Sequence, residues 1–186
     1  MAMLPHKTWT RDEVRVLEGT GLFDGLHYEL IDGELIDKMG KLRPHVRGLR
    51  KTAETLEAVF GREFVDWQAP IDIAEADNPR NEPEPDVVVL RRPSGEFDDN
   101  PRPADIALVV EVADSTLRHD RTTKAGLYAR AGIPEYWVLD LKGRRLLVFR
   151  DPDAGAYRVR LQFDEAASVG PLDRQDQAVA VADLLP

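Results

Sequence analysis

The chain has 186 residues, 42% hydrophobic and 32% charged, which is typical of one globular domain covering residues 1–186. It has no cysteine, which excludes disulfides, thiolate metal sites and a cysteine nucleophile. The net charge of −9 argues against nucleic-acid binding over the whole surface. With no apolar leader and no run of ~20 apolar residues, we expect a cytoplasmic protein without a membrane partner.

The first third of the chain predicts a helix, a hairpin and a longer helix. Thr10 and Glu13 have the capping-box pattern that begins a helix. Asp32 and Gly33 form a hairpin turn between alternating apolar residues. The predicted elements are a helix at 11–18, a hairpin at 28–37 and a helix from 44 that ends at Gly61.

The rest of the chain predicts a mixed sheet. A strand, a helix and a strand follow one another between residues 106 and 141, which is typical of a parallel crossover. The later strands are predicted to be antiparallel. The predicted strands are 64–73 (bulged or at an edge because of Pro70), 87–91, 106–113, 135–141, 144–150 and 156–163, with a helix at 117–131. We therefore predict an α/β (α+β) fold with an amino-terminal helix-hairpin extension.

Glu111 is a carboxylate inside residues 106–113, a run whose two faces are both apolar. An unpaired buried carboxylate costs several kcal/mol, so it needs a cation, a metal or a substrate beside it. Asp86 follows Pro85 and opens a second apolar run. Two carboxylates on neighbouring strands favour an oxygen site for Mg²⁺ or Mn²⁺. The alternatives are a buried salt bridge for Glu111 and, for Asp86, an ordinary residue that begins a strand.

Lys124 is the predicted cationic partner. On a helix it shares a face with Asp120 and Arg121, and its ammonium could hold an attacking water or a phosphoryl oxygen. The alternative is a surface pair between Asp120 and Lys124, and Arg121 could take the role of Lys124.

Three further residues are accessory candidates. Glu29 and Glu34 lie in the hairpin, where either could add a carboxylate, although a polar outer face is the default. His45 lies in the first turn of its helix, where it could contact a phosphate. An exposed histidine is the more common case there.

Two stretches are basic without any acid, residues 38–51 and 142–150. A basic rim around an acidic centre could contact the backbone of a nucleic acid, and charge alone favours two solvated faces instead. The candidate nucleic-acid contacts are Lys41, Arg43, Arg47 and Arg121.

Four stretches carry a resemblance to a known family: YELIDGEL (28–35), EPDVVV (84–89), LVVEVADS (108–115) and residues 120–138. In this order they resemble the Uma2-type restriction endonucleases, a bacterial branch of the PD-(D/E)xK nuclease superfamily. The resemblance spans nearly the whole chain. It implies a restriction-endonuclease-like core.

The resemblance also implies site roles. Asp86 and Glu111 would bind the divalent ion, with the carbonyl of Val112 as a third ligand. The superfamily lysine stands two residues after the glutamate, where this chain has Ala113, so Lys124 looks like a relocated lysine.

The accessory candidates have implied roles too. Glu29 or Glu34 would be the extra acid, serving a second ion. The family's His-Gln pair is matched here by His45 alone, since Val46 follows it.

These observations predict a metal-dependent endonuclease that hydrolyses DNA, and a homodimer is compatible with cutting both strands. The alternative is an inactive nuclease fold that binds nucleic acid or a protein, which the missing lysine and the acidic charge favour. A third reading is a structural protein in which Glu111 is a buried salt-bridge partner.

Overall fold

A computed structural model describes residues 6–38 and 42–186. The helices are α1 (Arg11–Glu18), α2 (Arg43–Phe60), α3 (Leu117–His119), α4 (Ala125–Arg130) and α5 (Val181–Leu184), with a π-helical turn (Asp120–Lys124) between α3 and α4. The strands are β1 (Tyr28–Ile31), β2 (Glu34–Asp37), β3 (Val65–Asp66), β4 (Val87–Leu90), β5 (Ile106–Ala113), β6 (Glu135–Asp140), β7 (Arg145–Asp153), β8 (Ala156–Asp164), β9 (Ser168–Val169) and β10 (Val179–Ala180).

A six-stranded mixed sheet in the order β3-β4-β5-β6-β7-β8 forms the centre of the fold. The β5–β6 pair is parallel and the other pairs are antiparallel, which confirms the predicted crossover and mixed sheet. One face of the sheet packs on α2 and α5 through residues such as Leu56 and Leu184. The other face packs on α4 through Leu127 and Tyr128. Helices therefore flank the sheet on both sides.

The amino-terminal extension forms as predicted. The capping box of Thr10 and Glu13 begins α1, because each side chain accepts a hydrogen bond from the other residue's backbone N–H. The turn between β1 and β2 places Asp32 at φ 50° and Gly33 at φ 80°. Positive φ at both turn positions matches the twist of a two-residue hairpin.

Two predicted elements differ from the structure. The strand predicted at 64–73 is paired only over β3, because Gln68 adopts a left-handed backbone (φ 54°) and Pro70 has no N–H to donate. The helix predicted at 117–131 is helical as far as Arg130 but contains the π-helical turn. A π-helical turn contains one residue more than an α-helical turn, and the spacing of apolar residues in the sequence does not reveal this.

Strand β5 extends past the start of β4, and this offset creates the space for the site. Val87, the first residue of β4, pairs with Val110, so Glu111 and Val112 have β6 on one side and no β4 partner on the other. Asp86 lies directly before β4, next to this open end of the ladder.

Candidate active site

Asp86 is held between two elements. Its Oδ2 accepts a hydrogen bond from the N–H of Val112 at 2.8 Å, and its Oδ1 lies 3.3 Å from Nε2 of His45 in α2. Burial would raise the pKa of Asp86, but the neighbouring His45 and the charge of Lys38 outweigh burial and lower this pKa to about 2. Asp86 is therefore a buried carboxylate that stays ionised.

Glu111 is buried and accepts two hydrogen bonds on one oxygen. Nζ of Lys124 donates to its Oε1 at 2.8 Å, and the hydroxyl of Tyr128 donates to the same atom at 3.0 Å. Burial raises the pKa of Glu111 to about 7, an effect that the charge of Lys124 offsets only in part. The other oxygen, Oε2, accepts no hydrogen bond from any residue that the structure describes.

Glu29 also contacts Lys124, although it comes from the amino-terminal hairpin. Its Oε1 lies 2.8 Å from Nζ of Lys124, and its Oε2 accepts the N–H of Glu84 at 3.1 Å. Burial opposes ionisation, but the charges of Lys124 and Lys38 lower the pKa of Glu29. The expectation of a polar outer face is wrong for Glu29, because β1 is buried on both of its faces from Glu29 to Ile31.

The π-helical turn presents Asp120 and Lys124 to the interior and leaves Arg121 exposed. Oδ2 of Asp120 accepts the hydroxyl of Thr116 at 2.6 Å, and the Asp120 carbonyl accepts the hydroxyl of Tyr136 at 3.1 Å. Burial raises the pKa of Asp120. Asp120 is thus an inner carboxylate near Lys124 and not the partner in an exposed pair.

These groups line one cleft of about 500 Å³. Val112, His45, His119 and Lys142 also line it. The candidates that it brings together are Glu29, His45, Asp86, Glu111, Val112, Asp120 and Lys124.

The remaining candidates lie elsewhere. Glu34 is exposed and lies 3.4 Å from His6, because it alternates outward on β2. Arg43 and Arg47 are exposed on the first turns of α2 and do not line the cleft. Lys41 lies outside the described residues.

Tyr128 and Lys38 are contacts of the site that the sequence analysis did not assign. Tyr128 stands one helical turn after Lys124, and that spacing was a usable signal. Nζ of Lys38 lies 3.7 Å from Oε2 of Glu29 and donates to the carbonyl of Glu84. No sequence spacing connects Lys38 with Glu84, so only the fold shows this contact.

The oxygen atoms of Asp86, Glu111 and Val112 are of the kind that binds a hard divalent cation. Over residues 6–38 and 42–186, no group of three or more histidine, aspartate or glutamate side chains is arranged as a metal cluster. Asp86 and Glu111 nevertheless line the same cleft. The N–H of Val112 donates to Asp86. Because the N–H and C=O of a strand residue point to the same edge of the strand, the carbonyl of Val112 faces this side too. Two carboxylates and one carbonyl suit Mg²⁺, which keeps several waters as its other ligands.

Comparisons with known proteins agree with this fold. Residues 12–180 match the sequence profile of the Uma2 family, described as "Putative restriction endonuclease". A solved structure titled as a putative nuclease belonging to DUF820, from Anabaena variabilis ATCC 29413, is similar with a TM-score of 0.70. The two sequences are 17% identical, and the likeness covers 94% of this chain and 96% of that one. No curated protein matches this sequence.

Proposed function

This chain belongs to the Uma2 family, and from that premise we propose that it is a metal-dependent endonuclease that hydrolyses phosphodiester bonds in DNA. The observation that carries the proposal is the convergence of Asp86, Glu111 and Lys124 in one cleft, although they come from three different elements. Buried carboxylates beside a lysine at the open end of a sheet are suited to metal-assisted phosphoryl chemistry.

Asp86, Glu111 and the carbonyl of Val112 would hold Mg²⁺ or Mn²⁺. The low pKa of Asp86 keeps one ligand ionised at neutral pH. When bound, the ion would lower the pKa of a water and stabilise negative charge on the phosphoryl group. The acids of the site also favour a further cation, because the two ammonium groups of Lys124 and Lys38 face four carboxylates: Glu29, Asp86, Glu111 and Asp120.

Lys124 would orient the reacting groups. Its ammonium stays protonated, since burial opposes the charge but the carboxylates of Glu111 and Glu29 outweigh burial and raise the pKa of Lys124. A protonated ammonium can donate to a phosphoryl oxygen or to the attacking water. Glu29, which also contacts the ammonium, would help to hold Lys124 in position. His45 would orient Asp86.

A cleavage assay with matched variants tests this proposal. Wild type, Glu111→Gln and Lys124→Met are incubated with supercoiled plasmid and with single-stranded DNA in Mg²⁺ or Mn²⁺. We expect EDTA to abolish cleavage and each variant to lose at least ~100-fold in rate, since each removes a group that acts on the transition state. Glu34→Gln is the control, because it changes an exposed hairpin carboxylate, and it should cleave normally.

A second readout keeps the test independent of the chosen substrate. Calorimetric titration with Mn²⁺ should give binding to wild type that Glu111→Gln lacks, while thermal unfolding shows that both proteins are folded. A folded wild type that neither binds Mn²⁺ nor cuts any DNA would overturn the proposal and leave the non-catalytic binding module.

A further inference from the structure

Trp67 is the only exposed aromatic residue in the part of the chain that the structure describes. Its side chain is 55% exposed, whereas Trp137 in the core is 0% exposed. Within residues 6–38 and 42–186, the indole makes no hydrogen bond, ring contact or cation–π contact. Leaving so large an apolar ring in water is unfavourable, and such a ring is a common site of binding.

The backbone fixes Trp67 next to the candidate active site. Trp67 directly follows β3, and the N–H of the next residue, Gln68, donates to the carbonyls of Pro85 and Asp86 at 3.1 and 3.2 Å. Gln68 has a left-handed backbone at φ 54°, which costs energy for a residue other than glycine. The chain therefore holds the exposed ring one residue from a backbone contact with Asp86.

The nearby start of α2 combines apolar and basic groups. His45 in the first turn of α2 reaches Asp86, and Leu42 and Val46, which flank it in sequence, are exposed. Arg43 and Arg47 are exposed on the first two turns of α2. Exposed rings next to basic side chains are typical of surfaces that bind single-stranded nucleic acid by stacking and by phosphate contact.

We propose that Trp67 stacks on an unpaired nucleobase of the DNA strand that enters the cleft at Asp86. This inference rests on the proposed nuclease function and specifies its substrate class. Bases in an intact duplex do not offer their faces to a side chain, so the ring would favour single strands, frayed ends or an extruded base. The preference would not depend on sequence, because every base has a π-face.

The test measures binding without cleavage. Labelled single-stranded and duplex oligodeoxynucleotides are titrated with wild type, Trp67→Ala, Trp67→Leu and Trp67→Phe in Ca²⁺, with a gel to show that no strand is cut. Trp67→Ala and Trp67→Leu should weaken single-strand binding by about 5- to 150-fold, the equivalent of ~1–3 kcal/mol per stacked base. Trp67→Phe should lose less, because it keeps an aromatic face.

Two further measurements make the result specific. Leu22→Ala changes an exposed apolar residue of the amino-terminal extension and should bind like wild type. The oligodeoxynucleotide should quench the tryptophan fluorescence of wild type, and Trp67→Phe should lose most of that quenching. Because Trp67 is exposed, its variants should fold, and circular dichroism verifies this.

The outcomes separate this inference from the proposed function. If wild type cleaves DNA and Trp67→Ala binds single strands equally well, the stacking inference is wrong and the nuclease stands. If Trp67→Ala instead converts a dimer to a monomer in gel filtration, the ring covers a second copy of the chain, and the inference is overturned. If wild type neither binds nor cleaves any DNA, both proposals fail.

Discussion

At the scale of single residues, the main feature is one ammonium shared by two buried carboxylates. Nζ of Lys124 lies 2.8 Å from both Glu29 and Glu111, which come from separate elements. A buried cluster of ion pairs stabilises the fold only while every charge keeps its partner, because removing each ion from water costs several kcal/mol. Lys124 therefore links the amino-terminal hairpin to the central sheet.

Removing the ammonium should destabilise the fold strongly. In EDTA, we expect Lys124→Met to lower the free energy of unfolding by ~3–5 kcal/mol, because Glu111 would lose the cation that it contacts and Glu29 the nearer of its two. Adding Glu29→Gln should recover part of the loss, giving a non-additive double-mutant cycle. Urea denaturation measures each value.

The exposed pair of Arg50 and Glu54 is the control for that cycle. Their side chains lie 3.6 Å apart on the outer face of α2 and are mostly in solvent. Arg50→Met should cost less than ~1 kcal/mol, as solvent-exposed pairs usually do. If Lys124→Met cost no more than Arg50→Met, the buried cluster would not hold the hairpin to the sheet.

At the scale of elements, the distance between α2 and the sheet sets the position of His45. Gly48, one turn after His45, lies directly on the sheet. A Cβ at Gly48 would lie 3.1 Å from Cδ2 of Leu141 and 3.2 Å from Cγ1 of Val112. The glycine thus allows the helix to approach the strand that carries Glu111.

We expect Gly48→Ala to be less favourable for stability than alanine at a glycine with free space around it. Gly126 in α4 is the matched control, because its Cβ would meet only Arg130 and Gly155 at 3.7 and 3.8 Å. Gly126→Ala should stabilise the protein by up to ~1 kcal/mol through helix propensity. Crowding should make Gly48→Ala ~1–3 kcal/mol less stable than Gly126→Ala in urea denaturation. Equal stabilities would show that α2 does not need the close approach.

At the scale of the whole molecule, an acidic protein carries a local basic surface beside its cleft. The net charge is −9, yet Arg43 and Arg47 are exposed and form no ion pair with any described residue. Gly48, next to Arg47, contacts Leu141, and the following Lys142 lines the cleft. Of the second basic stretch, only Lys142 lines the cleft, because Arg144, Arg145 and Arg150 pair with acids along β7. No described helix is long and apolar enough to cross a membrane.

If this surface contacts the DNA backbone, the effect should appear in the salt dependence of binding. We expect Arg47→Gln to weaken duplex binding for all sequences alike and to reduce the slope of log affinity against log salt by about 0.9, as for one lost phosphate contact. The control is Arg158→Gln, since Arg158 lies on β8 and pairs with Asp153 at 2.6 Å. A slope unchanged in Arg47→Gln would place the DNA elsewhere.

The sequence by itself determined the mixed sheet and most of the helices and strands, but not the short extent of β3 or the π-helical turn. Glu111 stands out because a carboxylate between two apolar faces violates the pattern of a buried strand, and Gly33 marks its hairpin because it tolerates a positive φ. These signals are local, so periodicity and turn chemistry are enough to read them. The residue pattern also made Asp86 and Lys124 site candidates, and the family resemblance implied their roles as a metal ligand and a relocated lysine.

Only the tertiary structure decided which residues meet. Glu29 and Glu34 have the same chemistry and lie in the same hairpin, but only Glu29 faces inward to Lys124, because β1 is buried around Glu29 whereas Glu34 lies on the exposed side of β2. Likewise, only the structure shows that Trp67 is exposed and that the next residue, Gln68, contacts the backbone of Asp86. Contacts between residues distant along the chain have no local pattern, since they arise from how the elements pack.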